Sequence, residues 1–141
     1  MSRGERALGF SWPVLVALAA LAVPRVVLHD LGMLEAGSFA NVLLVLVPPA
    51  CWVAAVLWRR GPRPFATVVV IGAIYGVFLA LGHQLLWHAA FPAGAGDALP
   101  EGVLRAGAVI SSLVTGTLVG VVSGAVALLL YRLVPADRAG R

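Results

Sequence analysis

The chain has almost nothing with which to face water. Only 11% of its 141 residues are charged, against about 25% in an ordinary soluble domain, while 61% are hydrophobic and the mean hydropathy is +1.00. Lysine is absent; all ten basic residues are arginines. Cys51 is the one cysteine, so a single chain can form no disulfide, CxxC redox pair or thiolate metal cluster, and a thiol–disulfide oxidoreductase is excluded. The six carboxylates all lie outside the apolar runs. There is no HExxH or CxxCH pattern, phosphate loop, carboxylate pair or nucleophile with a paired base. No enzymatic activity, metal or cofactor is therefore expected. His83 and His88 are five apart and so lie on different helix faces; His29 would approach His83 from another helix, but no carboxylate within a span completes a metal shell.

Four long apolar stretches are what the chain has instead: Phe10–Leu28, Asn41–Trp58, Thr67–Trp87 and Gly107–Leu130. As helices at about 1.5 Å per residue each reaches roughly 27–36 Å, enough to cross a hydrocarbon core of about 30 Å. A backbone in lipid must satisfy its own hydrogen bonds, which a helix does. The fold class expected is an all-α integral membrane protein: one domain over residues 1–141, a four-helix transmembrane bundle with short loops, and the bilayer as solvent. The net charge of +4 and pI near 10.6 do not indicate a nucleic-acid partner, because the arginines mark span ends rather than a patch interleaved with aromatics.

Charge sets the expected orientation. Arg3 and Arg6, Arg59, Arg60 and Arg63, and Arg132, Arg138 and Arg141 share one side with only Glu5 and Asp137. The other side carries Arg25 and Arg105 against Asp30, Glu35, Asp97 and Glu101. The positive-inside rule then places both termini in the cytoplasm, with the chain in the cell membrane. Aromatic residues agree, Trp12, Trp58, Phe65 and Tyr131 marking the inner boundary and Phe39, Trp87 and Phe91 the outer. Ala20-Leu21-Ala22 after an arginine-flanked apolar run resembles a signal-peptide cleavage site. The apolar run continues to Leu28, however, and is long enough to span uncleaved.

Proline and glycine punctuate the spans. Gly61, Pro62 and Pro64 make the second and third spans a tight antiparallel hairpin. Pro48-Pro49 predicts a kink at the centre of the second span, with carbonyls freed near Leu44 and Val45 as possible ligand atoms. Ala108, Ser112, Gly116, Gly120 and Gly124 recur every four residues, with Ser123 beside them, and Gly72, Gly76 and Ala80 do the same on the third span. Close backbone approach holds helices together in lipid, so these stripes predict an interface. It lies either between the third and fourth spans or between two copies of the fourth. If both helices end flush at the inner surface, Gly72 pairs with about Gly124, Gly76 with Gly120, Ala80 with Gly116 and His83 with Thr115.

Polar side chains inside the spans fall at one depth, the outer third: Arg25, His29, Asn41, His83, Gln84, Ser111, Ser112 and Thr115. Ionisable groups at membrane depth point to function by default. The competing reading is structural. Arg25 then snorkels to headgroups or pairs with Asp30 or Glu35, and His83 and Gln84 bond the hydroxyls of the fourth span.

Size and span count resemble the small multidrug transporters and the small fluoride channels, four-span proteins that act as dimers. The resemblance is one of architecture alone. The first span here has Arg25 where the former family relies on a carboxylate, and Thr67–Trp87 has no glycine-rich segment leading into a threonine, phenylalanine and serine run. Two functions follow as expectations. The first is a non-enzymatic accessory or interaction subunit assembling through its glycine stripes, as a homodimer or with another membrane protein. The alternative is a small homodimeric transporter or channel that binds an anion or small polar solute at Arg25.

Overall fold

The computed structural model describes residues 2–35, 37–90 and 99–133, and every regular element in them is helical. In order they are α1 (Arg3–Leu8), α2 (Trp12–Ala20), α3 (Val23–Asp30), α4 (Phe39–Arg59), α5 (Pro64–Leu85), α6 (Trp87–Ala90) and α7 (Glu101–Leu133). Four stretches are long and apolar enough to cross a membrane: Trp12–Asp30, Phe39–Arg59, Pro64–Leu85 and Glu101–Leu133. Phe91, Asp97, Asp137, Arg138 and Arg141 lie outside the described residues.

Helix ends follow local chemistry. Ser2 and Glu5 form a reciprocal capping box on α1, and Gly9 closes it in a left-handed conformation (φ 78°). Ser38 caps α4 by accepting from the Asn41 backbone N–H. Arg60 ends α4 with φ 49°, and Pro64 opens α5 where a missing N–H does no harm. The segment after α1 packs on this hairpin. A Cβ on Gly9 would stand 3.0 Å from the Gly61 Cα, and the Thr67 hydroxyl shares its proton between the Leu8 (2.8 Å) and Arg63 (2.9 Å) carbonyls.

Helix α5 is the hub. It touches each of the other six helices, and 44% of its spanning window is buried, against 17–28% in the other three spans. Its closest partner is α7. A Cβ on Gly72 would stand 2.5 Å from the Gly120 Cα and 2.6 Å from the Gly116 carbonyl oxygen. On Gly76 it would meet Ser112 O at 3.1 Å, and on Gly124, Phe65 O at 3.0 Å. Ser112, Gly116, Gly120, Ser123, Gly124 and Ala127 are the buried residues of α7, while Ala108 is half-buried; on α5 Ala80 is buried too. The two stripes therefore meet each other within one chain.

Their register differs by one turn from that of flush inner ends. Gly72 faces Gly120 rather than Gly124, and Gly76 faces Gly116 rather than Gly120. The cause is length: α7 runs on to Leu133, so its end is not level with the start of α5. Interlocking of backbone, not alignment of ends, fixes the offset.

The first span is the interrupted one. Leu21 and Ala22 make i→i+3 bonds to Leu18 and Ala19, and α3 restarts with Pro24 in its first turn. Proline has no N–H for the Ala20 carbonyl, and the chain tightens before it. The Trp52 indole N–H of α4 donates to the Leu18 carbonyl at 2.7 Å, giving the break a fixed partner. Helix α4 is continuous through Pro48 and Pro49, with Pro48, Trp52 and Val56 forming its buried row.

Candidate functional site

The break at Leu21–Ala22 sets the azimuth of α3, which carries one polar row and one buried row. Arg25 and His29 form one; Val26 and the buried Asp30 form the other. Gly82 of α5 receives Val26, whose Cγ1 would stand 2.7 Å from a Cβ there. That approach brings the Asp30 carboxylate to the next residue of α5: Asp30 Oδ2 lies 2.7 Å from His83 Nδ1. Asp30 Oδ1 is 3.4 Å from His29 Nδ1, a weaker contact. The Asp30 side chain is 1% exposed, His83 22% and His29 51%. With Asp30 as a carboxylate, which can only accept, the hydrogen of this contact sits on His83 Nδ1 and Nε2 is left as the basic nitrogen.

Arg25 donates through Nε to Asn41 Oδ1 of α4 at 3.2 Å, and its guanidinium interacts with Tyr75 of α5. Among the described residues no carboxylate lies within 4.0 Å of it. The expected pairing with Asp30 or Glu35 is thus replaced by neutral partners, because Asp30 is committed to the histidines. Gln84 is also committed. Its amide donates to the Arg105 carbonyl and accepts from Arg105 Nη1, both at 3.3 Å, while Arg105 pairs with Glu101 (2.7 Å) and stacks over Trp87 (4.8 Å). Trp87, expected at the outer boundary, is buried under that cation. The hydroxyl of Ser112 bonds back to the Ala108 carbonyl of its own helix (2.7 Å). Neither His83 nor Gln84 bonds the hydroxyls of α7, as the structural reading had them.

Six of the eight sequence-predicted residues line one cavity of ≈ 200 Å³: Arg25, His29, His83, Ser111, Ser112 and Thr115. Asn41 and Gln84 stand behind this wall, each bonded to an arginine. Asp30 completes the lining, and sequence reasoning left it in a loop. The available signal was its i,i+4 spacing from Val26, which continues the buried face of α3. A second cavity, also ≈ 200 Å³, runs from Arg25 and Thr115 past Tyr75 and Trp52 to Leu44, Val45 and Pro49. Pro48 and Pro49 lack the N–H groups that would bond the Leu44 and Val45 carbonyls, and both of those residues line this space. Arg25 and Thr115 line both cavities.

Arg25 offers a fixed cation, Thr115 and Ser111 offer hydroxyl donors, and the Asp30–His83 pair can hold a proton. Another recess, ≈ 490 Å³ and lined from α2 and α4 with Phe10, has apolar side chains with Arg59 at one edge and no such cluster. Among the described residues no three His, Cys, Asp or Glu side chains converge as a metal site. Compared with family models, curated proteins and solved structures, the chain matches none of them.

Proposed function

We propose that the chain is a four-helix membrane bundle, with both termini on the cytoplasmic side of the cell membrane, that binds a small anion at Arg25 and passes it as a non-enzymatic transporter or channel. One observation carries this reading: Arg25 borders both cavities and has no carboxylate partner among the described residues. A cation in low dielectric with no carboxylate in direct contact is costly, and an anionic ligand touching it offsets that cost. The accessory-subunit reading relied on a free glycine stripe, and here the stripes of α5 and α7 occupy one another.

The test is flux. Purified protein in liposomes should pass chloride, nitrate or formate saturably, and Arg25→Gln should reduce that flux about ten- to a hundredfold, the value of one charge-assisted hydrogen bond. Arg25→Lys should retain part of it. Flux indifferent to Arg25, or none above protein-free vesicles, ends the proposal. Loss of a co-purifying partner without any flux would favour the subunit reading instead. Orientation has its own test: alkaline phosphatase fused after Ala95 should be active, and after Arg63 or Arg141 inactive.

A further inference from the structure

Asp30 is the least explained group in the molecule. A carboxylate side chain only 1% exposed contributes to no helix cap and pairs with no arginine among the described residues. It stands 2.7 Å from His83 Nδ1 in the cavity that Arg25 also lines. Resting on the anion-site reading above, we infer that the anion at Arg25 is taken up together with one proton, held on the His83–Asp30 pair.

The inference follows from charge within a shared space. With Asp30 ionised and His83 neutral, the pair carries one negative charge against the positive charge of Arg25, and the cavity sums to zero. An anion entering meets the carboxylate as well as the guanidinium. A proton arriving at His83 Nε2 makes an imidazolium hydrogen-bonded to the carboxylate through Nδ1, so the pair becomes neutral and the cavity positive. Proton and anion therefore favour each other, and linkage makes the effect reciprocal. Apposition at 2.7 Å keeps the imidazolium hydrogen-bonded to a carboxylate that is itself buried.

Among the described residues no other charge facing the pair performs this exchange. From α3 come Arg25, already counted, and His29, whose side chain is 51% exposed and 3.4 Å from Asp30. Helix α4 supplies the neutral Asn41, and α5 supplies Gln84 and Tyr75. Helix α6, packed on α3, carries an exposed His88. Arg105 of α7 is paired with Glu101, and the rest of the α7 wall is Ser111, Ser112 and Thr115.

The experiment uses the full chain in nanodiscs, with chloride and nitrate as probes because neither carries a proton of its own. Calorimetric titrations in buffers of different ionisation enthalpy give the protons taken up per anion bound. Across a pH series uptake should rise to about one proton per anion at its maximum, and there the affinity should fall by up to about tenfold per pH unit. Asp30→Asn and His83→Asn should both lose the proton uptake and flatten the pH dependence of binding: without the carboxylate the anion should bind as tightly at high pH as at low, and without the imidazole as weakly at low pH as at high. The wild-type measurement stands alone if either variant fails to fold. Anion binding with no proton uptake overturns the coupling and leaves the Arg25 site intact. Uptake that persists in both variants overturns the assignment to this pair. Absence of binding by either probe retires the Arg25 reading and this inference with it.

Discussion

Gly116→Ala adds one methyl group where the structure has no room for it. That Cβ would press on backbone atoms of Gly76 and stand 2.6 Å from the Gly72 carbonyl oxygen. None of these is a side chain that can rotate aside, so α5 and α7 must part locally by roughly 1 Å to restore an ordinary contact. Overpacking of this kind costs about 1–3 kcal/mol. Alanine also repays up to about 1 kcal/mol of helix propensity, which would mask part of the effect. Gly107→Ala removes that ambiguity: it is the same change on the same helix, with nothing within 4 Å of the new atom. The difference between the two variants isolates the packing cost. Thermal unfolding in detergent, followed by tryptophan fluorescence, should place the Gly116 variant several degrees below the Gly107 variant, at about 2–4 °C per kcal/mol. Equal midpoints would refute the interlock. Gly120→Leu should behave like Gly116→Ala, and its control is Val122→Leu, at an exposed position of the same helix.

Trp52→Phe leaves the Leu18 carbonyl without its indole donor at the break in the first span, and should cost about 1–3 kcal/mol in a detergent denaturation series. Pro24→Ala supplies the missing N–H and should draw α2 and α3 toward one helix; turning Asp30 away from His83 would appear as a changed His83 imidazole resonance by NMR, and an unchanged one would detach the site from the break. The Ser2 backbone N–H, followed by that of Trp12, holds the Glu5 carboxylate below its ordinary range. A lowered folded value means that its contribution is complete above the ordinary carboxylate range, about pH 4.3, and is lost as pH falls through the lowered value. Amide exchange at Trp12 should therefore rise on acidification below about pH 4, and Glu5→Gln should show the same rise at neutral pH. A pH-independent Trp12 amide would sink that account.

Much of this was legible because lipid makes sequence speak loudly. Apolar length alone locates spans, and small residues every four positions can be read as a face without knowing what lies opposite. Six of the cavity-lining residues were visible for the same reason, since a polar side chain inside an apolar run has few ways to be satisfied. What stayed hidden depends on how two helices lean. Hydropathy ended the first span at Leu28 and put Asp30 outside it, yet Asp30 is buried because Gly82 lets Val26 come close. The prolines differ for a related reason. Pro48-Pro49 and Pro24 each remove backbone donors, and sequence ranks the pair above the single residue. The helix breaks at the single one, where Trp52 captures the Leu18 carbonyl, while Leu44 and Val45, which precede Pro48 and Pro49 by one turn, line a cavity beside Arg25. A proline states which acceptors are released, and only the neighbouring helix decides whether they are sealed by a donor or left facing a space that a ligand can enter.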